Sequence, residues 1–214
     1  QAGTYAFYAW REISMVDRQP KTRTDSDTPS EIAEMVESQG VTKAAAPVAT
    51  TFALGIMAGA FVALGGVFAT TIGTHADLGF GPTRLLMGLA FSLGIILVIV
   101  AGSELFTGNN LLLMSLVSRN ISPAQLVRNW GIVYVGNLAG AVSIVALVYY
   151  ARWWTQGDGG VGALAVSLAN TKVELSADVI FARGVLANVL VCLAVWLAMG
   201  GRSVTDKSIG IAFP

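Results

Sequence analysis

The residues best placed for chemistry lie in one polar run, Gly102-Ser-Glu-Leu-Phe-Thr-Gly-Asn-Asn110, which interrupts an otherwise apolar part of the chain. Glu104 and Asn109 stand near its two ends, and two readings of them are open. They cap the helices on either side, or they line a passage. Bond-making chemistry has little to work with. The only histidine is His75 and the only cysteine is Cys192, so haem ligation, an intrachain disulfide and a cysteine-built metal centre all lack residues. No catalytic residue, metal ligand or cofactor is assigned, and the run is read as recognition machinery.

The setting of the run favours the passage. Leu85 to Gly102 is apolar and long enough to cross most of a hydrocarbon core of roughly 30 Å, at about 1.5 Å per residue. After the run the apolar sequence resumes only for Leu111 to Val117, too short to span again. Irregular backbone at membrane depth persists only where protein or a water-filled cavity satisfies its N–H and C=O groups. A half-helix over 110–118, starting near Asn109, would aim the positive end of its dipole at the loop, which suits an anion or its hydrogen-bonded water.

The elements that must position this run are membrane spans. Of the 214 residues 54% are hydrophobic and only 12% charged, with a mean hydropathy of +0.66, far from the composition of a soluble domain. Thirteen basic and thirteen acidic residues cancel and the basic ones are dispersed, which argues against a nucleic-acid partner. Spans are predicted at about 48–72, 85–102, 129–151 and 179–201, with a fifth starting near 206. Gly55, Gly59, Gly65 and Gly66 in the first and Gly136 and Gly140 in the third suit close helix packing. With the N-terminus cytoplasmic, inner loops hold Arg119, Arg128, Arg202 and Lys207 against Asp206 alone, whereas charges in the outer loops balance. Tyr149, Tyr150, Trp153 and Trp154 then form an outer interfacial belt.

Ahead of the spans, residues 1–28 read as a flexible extension, without the basic and apolar regions of a cleavable signal peptide. Residues 29–46 read as an amphipathic helix on the cytoplasmic surface. Thr28 and Glu31 form a capping box, Pro29 opens the first turn, and the apolar stripe of Ile32, Met35 and Val36 is expected to end at Gly40. Taken by residue type alone, Phe91, Ile95 and Val191 are ordinary core, Lys172 is a solvated lysine between the third and fourth spans, and Asn137 is structural. Asn188 is an amide inside a span and needs a hydrogen-bond partner.

Two stretches resemble signatures of the formate/nitrite transporter family: Ile99-Val-Ala-Gly-Ser-Glu-Leu-Phe-Thr-Gly108 and Gly184-Val-Leu-Ala-Asn-Val-Leu-Val-Cys-Leu-Ala194. Phe91-Ser-Leu-Gly94, Asn129-Trp130, Gly136-Asn-Leu138 and Gly201-Arg-Ser203 are similar to it as well, so the likeness runs from about Pro29 to the end. The resemblance implies an all-α polytopic membrane protein with an aquaporin-like bundle. Six helices form two inverted halves, the second and fifth are broken, and residues 47–214 make the channel domain of a homopentamer. The sequence ends at Pro214, before the second break and the central histidine of the family, and is therefore read as truncated after the start of the fifth helix.

The same resemblance implies the site. Phe91, Ile95 and Val191 would form apolar constrictions. Leu105 and Thr107 would form the gate in the broken helix, and Lys172 would lie buried near the pore and attract anions. Asn188, Glu104 and Asn109 would line the chamber or tie helices. The implied function is a channel rather than an enzyme. It would pass small monovalent anions, formate or nitrite ahead of hydrosulfide, passively or with proton coupling, in a bacterial or archaeal inner membrane. The implied partners are the anion, protons, the lipid bilayer and further copies of the chain. A water or neutral-solute channel of similar fold is disfavoured by Lys172 and the signatures.

Overall fold

A computed structural model describes residues 27–214, and all regular elements among them are helical. The expected extension over 1–28 lies outside the described residues except for Asp27 and Thr28. Helix α1, Pro29–Ala45, starts where the capping box places it, with the Thr28 hydroxyl and the Glu31 carboxylate each bonded to the other's backbone N–H. Its buried stripe is Ile32, Val36, Gly40 and Ala44. Gly40 does not end that stripe, contrary to expectation. It is pressed against the Ser115 side chain, where any Cβ would collide, and the helix continues past it for another turn.

Four helices are long and apolar enough to cross a membrane: α2, Val48–Gly73; α3, Phe80–Ala101; α5, Pro123–Tyr150; and α7, Ala177–Gly200. Between α3 and α5 lies the short helix α4, Leu112–Val117, preceded by a 3₁₀ turn over Gly108–Leu111. Helix α8, Val204–Ala212, follows α7 after a tight turn, and its own capping box pairs Ser203 with Asp206. The connection from α5 to α7 was assigned no element from the sequence. It holds a 3₁₀ turn at Trp153–Thr155 and a helix, α6, Gly160–Val173. At 14 residues α6 is too short to register as a span, and Gly157 and Gly159 at its start read as loop signals.

Helix α2 is the centre of the bundle, with α3 and α5 packed on opposite sides. Backbone approaches backbone at small residues. A Cβ on Gly55 would stand 3.3 Å from Gly136 Cα, and one on Gly65 would stand 2.8 Å from the Phe91 carbonyl oxygen. Gly59 and Gly140 sit closer still, against the backbones of Asn137 and Ile56, whereas Gly66 faces open space. Without a hydrophobic driving force in lipid, such close van der Waals packing is what holds helices together.

Candidate functional site

The break forms where α3 stops. Gly102 adopts a left-handed conformation (φ 68°), and the Gly102 and Ser103 N–H groups turn back to the Ile99 and Val98 carbonyls at 3.3 and 3.0 Å. Glycine is suited to that conformation because it has no Cβ to clash. The chain then crosses toward α2, where the Glu104 N–H donates to the Leu54 carbonyl at 3.2 Å, before it winds into the turn at Gly108. The half-helix thus starts as a 3₁₀ turn. Two of the N–H groups in this turn are already used, Asn109 bonding to the Leu105 carbonyl at 2.9 Å and Asn110 to the Thr107 carbonyl at 3.3 Å.

A buried polar cluster closes over the break. Asn109 is 1% exposed, and its Nδ2 donates to Glu104 Oε2 at 2.6 Å and to Asn129 Oδ1 at 2.9 Å. From α1, the Lys43 ammonium reaches Glu104 Oε1 at 3.3 Å and donates to Asn109 Oδ1 at 2.9 Å. Asn129 Nδ2 returns to the Lys43 carbonyl at 3.3 Å, and the indole of Trp130 donates to the Asn109 carbonyl at 3.1 Å. A buried carboxylate is tolerated only with such a charged and hydrogen-bonded partner set. Glu104 and Asn109 were read as caps or passage groups, and the structure joins them directly.

On the α1 side of this cluster opens a cavity of about 390 Å³. Its lining combines the polar Lys43, Lys207, Gln39 and Glu104 with the apolar Ile95, Leu105 and Ala198. Ile95 and Ala198 pack with Ile211 of α8, and Leu105, Val62 and Ile99 lie against them, making one apolar layer. Ile95, implied as a constriction, and Leu105, implied as part of the gate, are therefore brought together. The lining holds two ammonium groups against one carboxylate, leaving a formal excess of one positive charge.

The remaining sequence-derived candidates lie elsewhere. Phe91 is on α3 about one turn from Ile95 and 40% exposed, and Val191 is half-buried on α7, neither in the wall of the cavity. Thr107 is half-buried and its carbonyl faces the Cys192 thiol at 3.6 Å. Asn188 accepts from Asn110 Nδ2 at 2.6 Å and donates to the Gly184 carbonyl, so it ties α7 to the half-helix. Lys172 lies on the last turn of α6 and is exposed, where the resemblance implied burial. It is not among the residues that line the cavity, and it precedes the start of α7, whose other end contributes Val195, Ala198 and Met199 to that lining.

Lys43, Asn129 and Lys207 were not expected at the site, and Asn110 was named only as the end of the polar run. The available signal was the pair of amides Asn129 and Asn137, eight residues apart on an otherwise apolar helix and thus on roughly one face. No group of three His, Cys, Asp or Glu side chains suited to a metal gathers among the described residues.

Helices that span a bilayer, one of them broken over a buried polar cluster and an apolar layer, define a polytopic channel or transporter. A family model described as formate/nitrite transporter matches residues 30–214. The formate channel FocA of Haemophilus influenzae is 36% identical over 201 residues, covering 94% of this chain and 71% of its own. The nitrite transporter NirC of Salmonella typhimurium is 40% identical over 153 residues, covering 67% and 52%. A solved pentameric formate channel with formate bound superposes with a TM-score of 0.71 at 38% identity, over 78% of this chain and 66% of the other. The chain belongs to the formate/nitrite transporter family and has its aquaporin-like fold, and it spans only part of the length of each of these relatives.

Proposed function

We propose that the protein conducts small monovalent anions, formate or nitrite, across the inner membrane of a bacterium or archaeon, as a homopentamer with a pore in each protomer. The observation that carries this reading is the cavity at the break, whose lining has an excess of positive charge and adjoins an apolar layer. Lys43 and Lys207 raise the local anion concentration. The layer of Ile95, Leu105 and Ile211 then opposes any ion that keeps its charge, because desolvating a charge is costly. A weak-acid anion that takes up a proton at the layer crosses as a neutral molecule without that cost, which couples flux to protons. Lys172 attracts anions at the opposite mouth, Phe91 and Val191 narrow the path on that side, and Thr107 offers a hydroxyl beside the layer. The α1 end faces the cytoplasm in this reading, as the distribution of basic loops supports.

Uptake by the complete protein in proteoliposomes tests the proposal, with formate, nitrite, hydrosulfide and a strong-acid anion of similar size compared at two pH values. Formate or nitrite is expected to enter fastest, and faster at the lower pH. Hydrosulfide ahead of both would reassign the substrate. Uptake no faster than in empty vesicles, or uptake independent of pH and equal for the strong-acid anion, would overturn the channel reading or its proton coupling respectively.

A further inference from the structure

Leu105 is the residue of the break that packs into the apolar layer, and the peptide groups on both sides of it are held by one side chain. Asn137 Nδ2 donates at 2.8 Å to the Glu104 carbonyl, which belongs to the peptide before Leu105. Its Oδ1 accepts at 2.9 Å from the Phe106 N–H, which belongs to the peptide after Leu105. The second Nδ2 hydrogen goes to the Gly55 carbonyl of α2 at 2.8 Å. One N–H facing the oxygen and two carbonyls facing the nitrogen leave the amide a single orientation. Asn137 is itself fixed, since Gly59 lies flat against its backbone. The Phe106 ring beyond the clamp meets Trp130 and Tyr134 of α5 edge-on, with centroids 6.1 and 5.5 Å apart. On the Glu104 side the backbone has a second anchor at Leu54, whereas at the Phe106 N–H the bond is to Asn137.

We propose that Asn137 is a positioning residue for the constriction. By clamping the backbone on both sides of Leu105 it sets how far that side chain projects toward Ile95 and Ile211, and thereby the size limit for the permeating anion. The inference rests on the channel reading above and assigns a residue within it. An apolar ring distinguishes substrates that differ by a methyl group only as sharply as its backbone is held, because a displacement of about 1 Å admits the larger one.

The test compares acetate with formate uptake by the complete protein, alongside hydrogen exchange of residues 102–108. Asn137→Asp preserves shape but loses both Nδ2 hydrogens, and Asn137→Ser shortens the clamp without adding charge. Each is expected to raise the acetate-to-formate uptake ratio roughly tenfold and to speed exchange in 102–108. Leu105→Ala is expected to raise the ratio as much by itself, and adding Asn137→Ser to it should change little further. An unchanged ratio, or full additivity with Leu105→Ala, overturns the proposal. So does loss of pentamer assembly in both variants, which would make Asn137 a folding residue. If the unmodified protein takes up neither anion, the channel reading fails instead, and unaltered exchange in 102–108 would still dismiss the clamp.

Discussion

Among single side chains, the pair at the break is unequal. Side-chain exposure is 28% for Lys43 and 9% for Glu104, so the ammonium retains water while the carboxylate depends on its protein partners. Lys43→Met strands a buried charge and is expected to cost roughly 3 kcal/mol. Glu104→Gln keeps a hydrogen-bonding group beside Asn109 and lets Lys43 turn to the cavity, costing about 1 kcal/mol. The double variant should cost less than the sum, as thermal unfolding in detergent would register. Equal losses from the two single changes would refute the asymmetry. Glu104 and Asn109 were legible as important because polar groups inside an apolar stretch need a reason. Lys43 was not, since a lysine in the last turn of a helix already has a sufficient local explanation in the helix dipole. Its partner Asn109 lies 66 residues away, and only the fold joins them.

The helices show how much a local pattern reveals. The existence of four spans follows from uncharged length, and the break from its interruption. Helices α3 and α5, however, begin at Phe80 and Pro123, ahead of the expected 85 and 129, because Arg84 and Arg128 lie inside the helices. Helix α6 could not be read, because a short helix that follows a glycine-rich turn has no distinguishing period. Gly40 was misjudged for a related reason, as glycine marks either an end or a close approach and sequence alone does not say which. The glycines of α2 separate these roles experimentally. Gly59→Ala drives a Cβ into the Asn137 backbone and is expected to destabilise the protein by about 2 kcal/mol or more. Gly66→Ala enters open space and should be neutral or slightly stabilising, within about 1 kcal/mol. Denaturation midpoints of the two variants, measured side by side, would settle it, and comparable losses would contradict the packing described for α2 and α5.

At the scale of the molecule, thirteen basic residues against thirteen acidic ones leave no net charge to draw anions in. In the proposed channel attraction therefore comes from placement, with Lys207 in the lining of the cavity and Lys172 exposed at the end of α6. Lys207→Gln is expected to slow entry from the α1 side severalfold at low ionic strength, with the effect fading above about 0.15 M salt, where screening acts within roughly 8 Å. Initial rates in vesicles of uniform orientation would show this, and a defect that persisted undiminished in high salt would point to shape rather than charge. The clamp on the break also bears on how the protein is made. Synthesis proceeds from the N-terminus, so residues 102–108 enter the membrane before Asn129, Trp130 and Asn137 exist. Until α5 arrives, the Phe106 N–H and the Asn109 carbonyl lack the side chains that complete them, and lipid offers no substitute. The loop must stay in water or within the insertion machinery during that interval, so a segment early in the chain is among the last to reach its final form.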